Sequence, residues 1–137
     1  MLPALKLPPY LRAGPSIQIL TLVDDTMPRG DYLGEFEQMI LLTVARLDDD
    51  AYGMAIMEEL QARTGAEAAV ASVYAALDRL ERRGFVTSAI GDPTPERGGR
   101  AKRFFTLVPA GAVALHRSRR ALDSLWDGLE LDTDGLV

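Results

Sequence analysis

The chain has 137 residues, 47% of them hydrophobic, which is the size and composition of one globular domain with or without an extra arm. With 20 acidic and 15 basic side chains the net charge is -5, which excludes a uniformly basic nucleic-acid binder but leaves room for a local cationic patch. Cysteine is absent and His116 is the single histidine. Disulfides, thiolate metal sites and cysteine nucleophiles are therefore excluded; with a single imidazole neither the usual zinc site nor a serine–histidine–aspartate triad is expected, and no cofactor or metal is expected.

The charge is unevenly spread. Residues 1–29 carry 3 basic and 2 acidic groups, residues 30–94 carry 5 and 12, residues 95–120 carry 7 and 1, and residues 121–137 carry 0 and 5. A short cationic segment is thus set into an otherwise acidic protein. No run of eighteen apolar residues is present, and Pro3, Pro8, Pro9 and Pro15 interrupt anything resembling an export signal. The expectation is a cytoplasmic protein without a membrane partner.

Residues 1–29 are proline-rich and lack a helical period. They read as an arm outside the core, for which disorder and packing against a partner subunit through Ile17, Ile19, Leu20 and Leu22 both stay open. A third option is that Met27 is the true start. From Asp31 the pattern becomes regular: Leu33, Phe36, Ile40, Val44 and Leu47 follow steps of three and four, the signature of an amphipathic helix. Asp48, Asp49 and Asp50 should stop it and supply the N-cap of a second helix. That helix carries Tyr52, Ile56 and Leu60 on one stripe and closes at Thr64-Gly65. A third helix is expected from about Ala69 to Arg83 with Val73, Leu77 and Leu80 as its seam, stopped by Gly84. Phe85–Ile90 and Lys102–Val108 read as two strands around a glycine-rich turn, and Pro109 opens a last helix running to about Leu129.

The fold class predicted is mainly α with a small β-hairpin (α+β). It is a winged helix-turn-helix over residues 30–108, followed by a dimerisation helix and tail over 109–137. A B-DNA major groove admits one α-helix; the third helix would supply it and the second would brace it across the backbone. On the hairpin, Arg97, Arg100, Lys102 and Arg103 would neutralise phosphates, and Gly98 and Gly99 let the tip approach the duplex closely. Arg79, Arg82 and Arg83 on the third helix read either as phosphate contacts or as a solvated face, because Asp78 and Glu81 lie beside them. Glu35 and Glu37 read as first-turn acids that complement the helix dipole.

These residues resemble the PadR-type transcriptional regulators. The likeness runs from Leu33-Gly34-Glu35-Phe36-Glu37 through Ala51-Tyr52-Gly53-Met54-Ala55-Ile56 and the long block Ser72–Val86 to Gly98-Gly99-Arg100-Ala101-Lys102-Arg103-Phe104-Phe105-Thr106-Leu107, ending at Ala110-Gly111. The resemblance implies a bacterial homodimeric repressor whose last helix crosses to the other subunit. It implies Tyr52 and Tyr74 near the DNA backbone, Ser72 and Ala75 facing the groove, and Arg100 and Lys102 as wing contacts. This sequence departs from the family pattern in two places: Ala69 stands where a small polar cap is usual, and Val108 where threonine is often found.

The apolar positions Val113, Leu115, Leu122, Leu125, Trp126 and Leu129 make the last helix too wide for one small domain to cover. Together with Leu33 and Phe36 they are assigned to dimerisation. Trp126 reads first as a dimer-interface residue. The alternative is a planar small-molecule effector stacked against it, since some relatives implied by the resemblance hold ligands between tryptophans on this helix. The function expected is sequence-specific binding of double-stranded DNA as a homodimeric repressor on a palindromic operator. The rival is a winged helix that binds another protein instead of DNA. An enzyme is not expected, as phosphate-loop, nucleophile and metal-cluster motifs are missing from the sequence.

Overall fold

The computed structural model of the chain describes residues 32–91 and 101–135. The expected N-terminal arm, and Arg97, Gly98, Gly99 and Arg100 of the expected wing tip, lie outside the described residues. The element order is helix α1 (Glu35–Leu47), a 3-10 turn (Asp48–Asp50), α2 (Gly53–Thr64), α3 (Val70–Arg82), strands β1 (Val86–Ile90) and β2 (Arg103–Leu107), and α4 (Pro109–Trp126).

Helix α1 starts at Gly34, whose N–H donates to the Glu37 carboxylate at 3.3 Å, one half of a capping box. Its inward face buries Ile40, Leu41 and Val44. The acidic triplet that follows does not cap α2. It forms the 3-10 turn, and the N-cap of α2 is Tyr52 in an extended conformation. A tertiary contact decides this: the Phe105 N–H donates to the Ala51 carbonyl at 2.8 Å, and Tyr52 forms a β-bridge with Phe104. Strand pairing thus holds the chain extended up to the first residue of α2. At the other end Gly65 takes φ 73°, a left-handed cap that suits glycine, and its N–H reaches the Gln61 carbonyl at 2.8 Å.

Helix α3 buries Val73, Ala76, Leu77 and Leu80 against α1 and α2. The two strands pair antiparallel, with Val86 opposite Leu107, Ser88 opposite Phe105 and Ile90 opposite Arg103. Val86, Phe105 and Leu107 point into the same core as Ile56 and Leu60, so the hairpin is welded to the helices along one face. Helix α4 opens with Pro109 in its first turn. It is tied to α1 where the Leu33 N–H donates to Ser118 Oγ at 3.1 Å, a buried bond across 85 residues. Leu33 is only 5% exposed and packs in the core, and Val113 is also buried. Little of either side chain is left exposed for the dimerisation role expected of them from the sequence.

Candidate nucleic-acid interface

The helical period that buries four residues of α3 turns Ser72, Tyr74, Ala75 and Arg79 to solvent. Ser72 and Ala75 are short, so the helix backbone between them is open to close approach by a groove wall. Tyr74 is 37% exposed and its ring crosses the first turn of α2. A β-carbon at Gly53 would sit 2.3 Å from the Tyr74 ring, so the glycine is what lets the ring lie there. The phenol is thereby placed beside the N-terminus of α2, where unpaired backbone N–H groups and the helix dipole favour an anion.

Next to it, the Lys102 ammonium lies 4.1 Å from the centroid of the Tyr52 ring, and the Tyr52 ring meets Phe104 edge to face at 5.7 Å. A cation held on an aromatic face keeps its full charge, unlike one held by a carboxylate. Lys102 and Tyr52 therefore form a pre-positioned cationic contact at the base of the wing, with no carboxylate within ion-pair distance of Lys102 among the described residues.

Arg103 is placed differently. Successive residues of a strand point to opposite faces. Arg103 therefore shares the inward face of Phe105 and Leu107, while Lys102 and Phe104 take the other. The Arg103 guanidinium lies 4.9 Å over the Phe105 ring, pairs with Asp78 at 3.3 Å and with Glu81 by a short contact, and its Nε donates to Ser88 Oγ at 3.0 Å. Ser88 in turn donates to Glu81 at 2.8 Å. Arg103, expected from the sequence to neutralise phosphate, forms an internal tie between β2, β1 and α3.

The α3 arginines also look inward to the first helix. Arg83 pairs with Glu37 at 3.2 Å and Arg79 approaches the same carboxylate at 3.9 Å. Glu37 is thus more than a dipole complement: it caps α1 and anchors the C-terminal half of α3 at once. Arg79 remains half exposed on the outward face.

Away from these contacts, Leu122, Leu125, Trp126 and Leu129 of α4 and its following turn stay exposed, Leu125 by 72% and Trp126 by 55%. Leu115 and Phe36 are partly buried against the core. Leu42 of α1 is exposed beside this surface and was absent from the sequence-based set, because it lies off the stripe of Ile40 and Val44. A groove of about 510 Å³ runs between α1 and α4, lined by Leu42, Leu115, His116, Leu122 and Trp126 among others. Among the described residues, no group of histidine and carboxylate side chains could hold a metal ion, and no helix is long and apolar enough to cross a membrane.

Three helices followed by a two-stranded hairpin packed on the third define a winged helix-turn-helix. The family model of the transcriptional regulator PadR-like family matches residues 40–117, more than half of the chain, and the chain belongs to that family. Solved structures agree on the fold. A PadR family transcription regulator from hypervirulent Clostridium difficile superposes with a TM-score of 0.55 at 22% identity, covering 69% of this chain and 96% of that one. A transcriptional regulator from Clostridium thermocellum gives a TM-score of 0.56 at 19% identity, with 66% and 82% covered. Bordetella bronchiseptica BpsR, whose structure addresses regulation of its DNA binding by 6-hydroxynicotinic acid, gives 0.50 at 16% identity, with 84% and 81% covered. No curated protein matches the chain.

Proposed function

We propose that this PadR-like regulator binds double-stranded DNA as a homodimer and represses transcription at a palindromic operator. Helix α3 enters the major groove with Ser72, Ala75 and Arg79 toward base edges and phosphates. Tyr52, Tyr74 and Lys102 grip the backbone beside it, and Arg97 and Arg100, flanking Gly98 and Gly99, extend the same grip from the wing. The observation that carries this reading is the pairing of a short-residue face on α3 with the Lys102 cation held on Tyr52. Phosphate contacts of this kind position the protein, and the groove face reads sequence.

The exposed leucines and Trp126 of α4 support self-association, which would set two α3 helices about one DNA turn apart, ~34–36 Å. A ligand entering the groove between α1 and α4 would shift that spacing, and regulation of DNA binding by a small aromatic acid in BpsR is the precedent for such an effector.

The test is selection of bound fragments from host genomic DNA, followed by gel shifts on the recovered site with Lys102→Ala, Arg97→Ala and Arg100→Ala. Recovery of an inverted repeat is expected. Each lost phosphate contact should lower the slope of log affinity against log salt by about 0.9. Shifts that are unchanged in all three variants would favour a winged helix that binds protein instead.

A further inference from the structure

We infer that Arg103 is a positioning residue: by clasping Asp78 and Glu81 of α3 and Ser88 of β1, it fixes the angle between wing and recognition helix, so that the two engage a duplex as one rigid body. The inference rests on the DNA-binding reading and adds to it a residue that touches no DNA but sets which sites fit.

Four groups from three elements meet at this point. Arg103 offers its Nε to Ser88 at 3.0 Å and its two terminal nitrogens to Asp78 at 3.3 Å and to Glu81. Ser88 closes the ring by donating to Glu81 at 2.8 Å. A planar guanidinium spreads five donors in a fixed fork and can reach three separated acceptors in one plane, whereas an ammonium gathers its three rotatable donors at one point. The guanidinium itself lies 4.9 Å over the ring of Phe105, which is buried in the core, so the fork has few ways to swing out. Asp78 and Glu81 lie about one turn apart on α3, so the clasp grips the C-terminal half of that helix. Ser88 and Arg103 are near cross-strand neighbours, so it grips both strands of the wing as well. Elsewhere on the hairpin, β2 is bonded to Ala51 at the entrance of α2. The wing is therefore fastened at its base by backbone and along its length by this cluster.

A second consequence concerns charge. Two carboxylates on a helix that faces DNA should repel phosphate, and Arg103 offsets one of the two charges within the cluster. Positioning and simple electrostatics then predict opposite outcomes when the carboxylates are removed. The double variant Asp78→Asn/Glu81→Gln takes two negative charges off the DNA-facing side and frees the guanidinium. If Arg103 were a phosphate ligand held back by its neighbours, the variant would bind the recovered operator more tightly, with a salt slope steeper by about 0.9.

If Arg103 acts by positioning, the variant binds the operator about tenfold more weakly, holds unrelated duplex at least as well, and keeps the wild-type slope. Affinities for operator and unrelated duplex are measured across a salt series for wild type, the double variant and Arg103→Lys. The lysine variant retains the charge but not the fork, and is expected to lose operator preference in the same way. Circular dichroism on the same samples verifies folding, and the lysine variant decides the matter if the double variant does not fold. Operator affinity that is unchanged or improved overturns the positioning role while leaving DNA binding intact. A wild-type protein that retains neither duplex overturns the DNA-binding reading itself.

Discussion

The ring of Tyr74 occupies the space that a side chain at residue 53 would need: a β-carbon on Gly53 would lie 2.3 Å from both Cζ and Oη of the phenol. Helices α2 and α3 therefore meet through a glycine, and the contact aims the tyrosine at the start of α2. Gly53→Ala should push the ring outward. Because Tyr74 is partly exposed, the ring can move, and the cost should sit near the lower end for overpacking, about 1 kcal/mol. In a Tyr74→Ala background the clash is gone, and the same substitution should instead stabilise by about 0.5 kcal/mol, because alanine restricts the unfolded chain more than glycine does. Urea unfolding of the four proteins in this cycle measures the change of sign; the same sign in both backgrounds would show that the ring does not depend on the glycine.

Much of the architecture could be read from periodicity. Apolar steps at Ile40 and Val44, at Ile56 and Leu60, and at Val73, Leu77 and Leu80 each mark a helix that forms within about two residues of the expected ends. What escaped were decisions made by distant residues. The acidic triplet has every local feature of an N-cap, yet Tyr52 holds that position because Phe104 and Phe105 pair with the segment. Arg103 sits among basic residues and looks like one more phosphate ligand until its partners, 22 and 25 residues away, are known. A clue was present all the same: Phe105 and Leu107 are core residues of a strand, so Arg103, two residues earlier, had to share their face. The tie between the Leu33 N–H and Ser118, 85 residues apart, was equally out of reach of local pattern.

Helix α3 begins without a side-chain cap. Ala69 is extended and exposed at the N-cap position, and its methyl group cannot accept a hydrogen bond from the first turn. Ala69→Ser should add about 1 kcal/mol and raise Tm by about 5 °C. Differential scanning calorimetry measures this. A neutral result would mean that tertiary packing already holds the first turn as firmly as a cap could.

Gly111 tolerates no side chain for a different reason. A β-carbon there would stand 2.4 Å from the carbonyl oxygen of Phe85 and 2.6 Å from Leu107 Cδ1, which joins α4 to the base of the hairpin. The nearer obstacle is backbone, which cannot rotate aside. Gly111→Ala should therefore cost about 3 kcal/mol and lower Tm by about 10 °C or more, well beyond the Gly53 substitution. Unfolding within a degree or two of wild type would contradict this close approach of α4 to the hairpin.

Self-association is tested most directly on the exposed half of α4. Leu122, Leu125 and Trp126 are exposed on successive turns, and Leu122 and Trp126 line the groove together with Leu42 of α1. Burying such side chains against a second copy is worth about 1.5–3 kcal/mol each before the cost of association, and a tryptophan near the centre of an interface commonly dominates it. Leu122→Glu/Leu125→Glu places two charges where a partner would have to desolvate them, with little effect on the protomer because both positions are exposed in it. Analytical ultracentrifugation should show the wild type as a dimer and the variant as a monomer, with Trp126 emission shifted to longer wavelength. Operator affinity should fall by about a hundredfold or more as the second half-site ceases to be an intramolecular event. A wild type that sediments as a monomer at every concentration tested would remove the homodimer from the proposed mechanism. A variant that stays dimeric would move the interface away from this face of α4.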